Sequence, residues 1–180
     1  MTYFIGAYWG ERKETRLNCA TRISTFLQMI ANQDVLLSKW FKKGASKKIS
    51  TVALPHNAED LQDYLRSNQK DVGFDEIPEL GFNFSAWTGK DTSMMASISS
   101  TCGASSHNVR NHIVVSFSNQ REPELEFLKS ILRKAVEVFE PEDAVVSTAE
   151  ILVANPSMTA WEAPAIFRYK CGTGYSAPSK

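Results

Sequence analysis

The chain of 180 residues carries 20 Lys and Arg against 20 Asp and Glu, and its formal net charge of zero argues against a general nucleic-acid binder. A hydrophobic fraction of 43% and a charged fraction of 22% are typical of a globular protein with one core of ordinary size. No apolar run approaches the roughly 18 residues of a membrane span, and the N-terminus lacks the pattern of a signal peptide, so we expect a cytoplasmic protein without a membrane partner.

The first patterned stretch predicts a strand followed by a helix. Thr2–Trp9 is rich in aromatic and apolar residues, which favour a half-buried strand. Gly10 and the charged residues after it break this run and predict a turn. Beyond the turn, apolar residues recur at steps of three or four, which predicts an amphipathic helix. They are Leu17, Ala20, Ile23, Leu27 and Ile30.

Weaker patterns follow in residues 33–68. Large apolar residues beside lysines predict a short helical turn over residues 33–44 that ends at Gly44. The main basic cluster lies here and is either a solvated face or a patch for an acidic partner. It consists of Lys39, Lys42, Lys43, Lys47 and Lys48. Asn57, with Asp60 in an imperfect capping box, is the predicted N-cap of a helix over residues 58–68.

The most unbalanced stretch of charge runs from Glu59 to Glu79, where seven acids stand against two bases. It is either a solvated loop or an acidic surface that faces a basic partner. If it binds a partner, we expect Asp71, Asp75, Glu76 and Glu79 to make the contacts.

The next segment predicts three strands joined by short connections, which is typical of an antiparallel meander. The strands cover residues 82–87, 93–101 and 111–117. A second amphipathic helix follows, with Pro123 at its first helical position and Pro141 at its end. Residues 144–153 predict either a kinked strand or a strand followed by a short helix, and residues 165–171 predict a final strand.

These elements predict an α+β fold, with a largely antiparallel central sheet of about five or six strands and two long amphipathic helices packed on it. No internal repeat or linker divides the chain, so we expect a single domain over residues 1–172. Residues 173–180 are rich in Gly, Ser and Pro and predict a flexible tail.

Catalytic motifs are scarce in this sequence. It contains no H-E-x-x-H, no phosphate-binding loop, no G-x-S-x-G and no dinucleotide fingerprint. His56, His107 and His112 are the only imidazoles. Cys102 beside His107 or His112 would give a thiol nucleophile with its base, which keeps a small cysteine-dependent hydrolase as an alternative. His107 and His112 with nearby acids would be a weak candidate for a metal site.

The three cysteines, Cys19, Cys102 and Cys171, are far apart in the sequence. The lack of a C-x-x-C motif argues against a zinc site of the usual spacing, and the odd count argues against a disulfide framework. We expect reduced and mostly buried thiols, with no metal and no cofactor.

Several short matches run through the chain in a fixed order. They are Gly6-Ala7-Tyr8-Trp9-Gly10-Glu11-Arg12, Cys19-Ala20-x-Arg22-x-x-x-Phe26-Leu27, Trp40-Phe41-Lys42-Lys43-Gly44, Leu80-Gly81-Phe82-x-x-x-x-Trp87-x-Gly89, Cys102-Gly103, and Glu140-Pro141-Glu142 followed by Ala144-Val145-Val146. Through these matches, roughly residues 3–150 resemble the immunity protein 52 family of bacterial polymorphic toxin systems.

The resemblance implies an antidote without catalytic residues, which binds a cognate toxin encoded by the adjacent gene and blocks it. It also implies that the toxin resembles nucleases of the restriction-endonuclease fold delivered by type VI or related secretion. The mouth of a nuclease is usually positive, so the acids named above could occupy it, and the protein itself would bind no nucleic acid.

Two alternatives to this binding mode remain open. Inhibition away from the active site would use an apolar patch that includes Trp87 or Trp161, because tryptophan concentrates in binding hot spots. A self-associating structural module would have no toxin partner. The sequence leaves open whether the chain is a monomer or a homodimer.

Overall fold

The computed structural model shows one antiparallel sheet with helices. It describes residues 2–43, 52–67, 77–89, 94–119, 122–160, 162–170 and 174–176. The strands are β1 Thr2–Trp9, β2 Phe41–Lys42, β3 Arg66–Ser67, β4 Phe82–Trp87, β5 Met94–Cys102, β6 Asn111–Asn119, β7 Asp143–Thr148, β8 Phe167–Lys170 and β9 Gly174–Ser176. The α-helices are α1 Arg16–Ala31, α2 Ala58–Leu61, α3 Leu125–Phe139 and α4 Ala149–Ala154. Within these ranges, no helix is both long and apolar enough to cross a membrane.

The N-terminal strand lies in the middle of the sheet. The strand order is β2-β4-β5-β6-β1-β7-β8-β9, with β3 also paired to β4, and every pair is antiparallel. Ile5 of β1 is opposite both Val115 of β6 and Val146 of β7. The predicted meander is confirmed, because β4, β5 and β6 are consecutive in sequence and adjacent in the sheet.

The two long helices pack on one face of the sheet and form the main core with it. They have 16 and 15 residues, in agreement with the predicted helices in the first and last thirds of the chain. Phe139 of α3 stacks on Trp9 of β1 at 5.3 Å between ring centroids and meets Phe26 of α1 edge-on at 5.6 Å. Each such side chain contributes about 1.5–3 kcal/mol by leaving water. The predicted α+β class with an antiparallel sheet is therefore confirmed.

The sheet has more strands than the five or six expected, because its outer strands are very short. β2 and β3 have two residues each, and β9 has three. Segments of that length are too short to show an alternating pattern in the sequence. In place of a helical turn over residues 33–44, the structure has a 3-10 turn over Val35–Ser38 and then β2. Gly44 lies outside the described residues.

The helix predicted over residues 58–68 is much shorter than expected. It consists of α2 and a 3-10 turn over Gln62–Tyr64, after which β3 pairs with β4. The predicted N-cap is confirmed, since the Asp60 backbone N–H donates to Asn57 Oδ1 at 2.8 Å. Tertiary pairing thus ends the helix earlier than local propensity alone would.

The ends of α3 and the segment after β7 also refine the predictions. α3 begins at Leu125 with Glu124 at the N-cap, so Pro123 precedes the helix and does not occupy its first position. At the other end, Arg12 donates to the carbonyl oxygens of Phe139 and Glu140 at 2.7 and 3.0 Å, where a cation is favourable. β7 is followed by α4, which confirms the second of the two alternatives for residues 144–153.

Candidate functional site

The side chains of each central strand alternate between the helix-covered face and a second face of the sheet. Along β6, Ile113, Val115 and Phe117 belong to the core under α1 and α3. Val114 and Ser116 therefore point to the second face. This second face has two halves with different chemistry.

The half of the second face over β1 and β7 is apolar and covered. Phe4, Tyr8 and Val145 are buried there and pack against Leu152 of α4 and against Ala165. Burial raises the pKa of Tyr8 to about 12, so its hydroxyl is neutral at physiological pH. We call this region the covered half.

The half over β4, β5 and β6 is lined by serines. Ser85 pairs with Ser99, and Ser97 pairs with Ser116, across neighbouring strands. Ser85, Ser99 and Ser118 are exposed, and the other two are half-buried. We call these five residues the serine face. Their small side chains let another surface approach the sheet closely and offer hydroxyl donors and acceptors to it.

A depression of about 280 Å³ lies at one end of the serine face. It is lined by Lys43, Trp87, Met95, Ala96, Ser97, Ser116 and Ser118. Trp87 ends β4, is half-buried and lies opposite Phe41 of β2. Met95 is 39% exposed. A half-buried tryptophan and an exposed methionine beside hydroxyl groups and one ammonium suit the side chains of a protein partner.

A second depression of about 280 Å³ lies between α1 and the segment around His56. Here the polar groups are engaged within the protein, because Ser24 Oγ and Gln28 Nε2 both donate to the His56 carbonyl oxygen, at 2.6 and 2.9 Å. These bonds attach the segment around His56 to α1, so the polar groups of the second depression have a structural role.

The half over β4, β5 and β6 is also polar at the end opposite the first depression. Thr101 Oγ1 donates to Asn83 Oδ1 at 2.8 Å, and His112 is the cross-strand neighbour of both Thr101 and Tyr8. Burial lowers the pKa of His112, although its Nδ1 lies 3.2 Å from the Arg110 carbonyl oxygen. The imidazole is therefore neutral at physiological pH and adds no charge to the surface.

The structure places only some of the predicted binding residues. Glu79 is exposed in a 3-10 turn over Pro78–Leu80, just before β4, and Trp87 ends the same strand. The two ends of this six-residue strand are roughly 17 Å apart, so the structure does not bring Glu79 and Trp87 together. Asp71, Asp75, Glu76 and Trp161 lie outside the described residues, as do Lys47 and Lys48 of the basic cluster.

The serine face was missed in the sequence. Its signal was present, because Ser97 and Ser99 alternate with buried residues on one strand and Ser116 and Ser118 do so on another. Alternation predicts that such residues share a face. It cannot tell which half of that face a later helix covers.

The structure does not bring the Cys102 thiol together with His107 or His112, the two imidazoles considered as its base. Cys102 is fully buried on the core side of β5, next to Ser100 Oγ at 3.7 Å, and forms a pair with Cys19 of α1. The hydrogen bond with Cys102, together with burial, raises the pKa of Cys19 well above its usual range, so this thiol is protonated. His112 points to the opposite face of the sheet, and His107 is exposed. The geometry of a thiol nucleophile with its base is not present at these residues.

Comparison with known proteins identifies the family of this chain. No curated protein matches the sequence. The family model described as Immunity protein 52 matches residues 1–165. This match covers every element from β1 to α4, including the serine face, Trp87 and the covered half. The chain therefore belongs to the immunity protein 52 family.

Proposed function

We propose that this protein binds a cognate bacterial toxin in the cytoplasm and neutralises it by forming a stable complex. The observation that carries this proposal is the family match over residues 1–165, because the family is described as immunity proteins. Binding alone is sufficient for such a function, so no catalytic residue, metal or nucleic-acid contact is needed.

We further propose that the toxin is a nuclease with a restriction-endonuclease-like fold, delivered by type VI or related secretion. The acidic stretch between Glu59 and Glu79 supports this choice, since seven acids against two bases would complement a positive nuclease mouth. Asp71, Asp75 and Glu76 would act with Glu79 in this contact.

The serine face with Trp87 is the second proposed contact. It offers an exposed hydroxyl surface with a depression at one end, and Trp87 would be the anchor that enters or receives an apolar side chain of the toxin. Trp161 is assigned to the same role by its residue type. Contact here without the acids would correspond to inhibition away from the active site.

The first experiment mixes the purified protein with the product of the adjacent gene. We expect one stable complex by size-exclusion chromatography with light scattering, loss of the toxin's nuclease activity, and survival of cells that express both. Absence of a complex and of protection would contradict the proposal. Light scattering of the protein alone distinguishes a monomer from a homodimer and tests the self-associating alternative. Full protection by Cys102→Ala would exclude the cysteine-dependent hydrolase.

The acidic contact is tested by reversing four charges. We expect replacement of Asp71, Asp75, Glu76 and Glu79 by Lys to slow association with the toxin and to abolish its salt dependence, as measured by stopped-flow kinetics. The control reverses four exposed acids elsewhere and produces the same change of net charge. It replaces Glu11, Glu124, Glu137 and Glu150 by Lys, all of which lie outside the acidic stretch. Equal association rates of the two variants would reject the acidic contact and leave the neutralising function intact.

A further inference from the structure

Three potential metal ligands from two distant parts of the sequence meet in the core. Glu14 lies in the turn before α1, Cys19 in the first turns of α1, and Cys102 at the end of β5. A carboxylate oxygen and the two Sγ atoms all lie within 4.8 Å of one another. Gly103 brings the β5 end close, since a Cβ there would lie 3.0 Å from the Glu14 carbonyl oxygen and 3.1 Å from Cys19 Sγ.

The carboxylate of Glu14 has one oxygen without a partner. The Glu14 side chain is only 9% exposed, and its Oε1 is paired with Arg22 Nε at 2.8 Å. Its Oε2 is buried and has no hydrogen-bond partner among the described residues. A buried carboxylate oxygen in this situation costs free energy unless a cation or donor satisfies it. Both neighbouring thiols are fully buried, and a thiol is only a weak hydrogen-bond donor.

We propose that Glu14, Cys19 and Cys102 form a binding site for a zinc ion. Three atoms spaced by at most 4.8 Å share a point within about 2.8 Å of each, and small side-chain movements bring this to the 2.0–2.3 Å of zinc–oxygen and zinc–sulfur bonds. Two thiolates and a carboxylate are a ligand set that zinc accepts.

Charge and proton balance favour a divalent ion. Binding Zn²⁺ releases the two thiol protons to solvent and forms two zinc–thiolate bonds, with no oxidation or reduction. The three negative ligands are then balanced by Zn²⁺ and by the guanidinium of Arg22, so the buried cluster is neutral. Ser100 Oγ is nearest to a fourth position, because it lies 3.7 Å from Cys102 Sγ and donates its proton to the His112 carbonyl oxygen, which keeps its lone pairs available.

A disulfide between Cys19 and Cys102 is the competing explanation of the sulfur pair. It would occupy both sulfur atoms but would leave Glu14 Oε2 without a partner. A zinc ion satisfies all three ligand atoms at once, and we therefore choose it. The ion would join the segment before α1 and the start of α1 to the end of β5.

The test uses the full chain, reduced, treated with a chelator and desalted. After addition of Zn²⁺ or Co²⁺ and a second desalting step, we expect one equivalent of retained metal by elemental analysis. With Co²⁺ we also expect thiolate-to-metal charge-transfer absorption, and with Zn²⁺ a rise in Tm. The double variant Cys19→Ser/Cys102→Ser should lose all three effects. The matched control is Cys171→Ser, which removes the third thiol and should keep them.

Glu14→Gln tests the carboxylate without removing either sulfur. This isosteric variant should keep the charge-transfer absorption but bind Zn²⁺ at least about tenfold more weakly. Three outcomes overturn the proposal: wild-type metal content no higher than that of the double variant, unchanged affinity in Glu14→Gln, or formation of a Cys19–Cys102 disulfide with peroxide in a protein that retains no metal after reduction. Because none of these readouts uses the toxin, failure here leaves the proposed function untouched.

Discussion

The covered half and the serine face belong to the same face of one sheet, yet one is buried and the other is open to solvent. In the covered half, Phe4, Tyr8 and Val145 are buried against α4 and the segment after it. On the serine face, the equivalent positions of β4, β5 and β6 carry hydroxyl groups in contact with solvent. One region stabilises the fold, and the other presents a surface.

The choice of serine shows that stability alone does not explain the serine face. Threonine, valine and aromatic residues are preferred on half-exposed strands, and serine has no comparable preference. Serines spread over three adjacent strands instead give a surface of small side chains, where another protein can approach the backbone closely. Trp87 and Met95 at its end supply the large apolar area that the serines lack. This division is what a binding surface requires, with a few anchors beside small residues that permit close contact.

The largest effect on stability is expected when the packing of the covered half is disrupted. Phe4→Ala removes a ring that is 6% exposed and should lower the free energy of unfolding by about 3–5 kcal/mol, because it leaves a cavity. Ser99→Ala, at an exposed position of the serine face, should change it by less than about 0.5 kcal/mol. Urea denaturation measures both values. Similar losses in the two variants would mean that the two halves do not differ in their contribution to stability.

The next effect concerns the anchor of the serine face. Trp87→Ala should weaken toxin binding by about 2 kcal/mol, or roughly 30-fold in Kd, measured by calorimetry with the product of the adjacent gene. The control is Val153→Ala. Val153 belongs to α4, the helix that packs on the covered half, and its side chain is 77% exposed. Denaturation of Trp87→Ala checks that the fold is retained. An unchanged Kd would remove Trp87 from the interface.

A smaller effect is expected from crowding the serine face. Ser99→Arg places a long cation where close approach is needed and should raise the Kd about tenfold, with little change in stability. Val153→Arg adds the same side chain to α4 and should bind the toxin normally. If both variants bind like the wild type, the toxin contacts neither half of this face.

The smallest effect tests the boundary between the two halves, at His112. Burial lowers the pKa of His112 below its ordinary value of 6.5, so the unfolded chain binds the proton more readily. Stability should therefore be complete above about pH 6.5 and fall as the pH decreases below it. His112→Gln should reduce this loss, whereas His107→Gln, at an exposed position, should retain it. Equal pH profiles for all three proteins, from denaturation at several pH values, would contradict the assignment.

The parts of the fold that the sequence predicted are those with long and regular patterns. The stripe of α3 extends over 15 residues, and β1 and the meander strands have six or more residues each. β2 and β3 could not be predicted, because two residues show no period and only pairing with β4 makes them strands. Leu17 was assigned to the apolar stripe of the first helix but is 41% exposed, so the periodic pattern alone does not predict burial in the first turn of α1.

The candidate surfaces were predicted less well, for a similar reason. Trp87 was selected by residue type, and the structure places it beside a depression that no local pattern reveals. The meeting of Glu14 and Cys19 with Cys102 depends on the packing of α1 against the end of β5. Spacing rules for metal ligands compare neighbours in sequence and do not detect ligands that only the tertiary fold brings together.

The central position of β1 has a consequence for biosynthesis. Among the described strands, β1 is synthesised first and pairs with β6 and β7, whose residues are translated more than 100 positions later. At about 5–20 residues per second, it waits several seconds without a sheet partner, and such long-range pairing is slow to form. During that interval β1 exposes apolar residues and two unpaired edges, so the nascent chain is prone to aggregation until β6 and β7 have been synthesised.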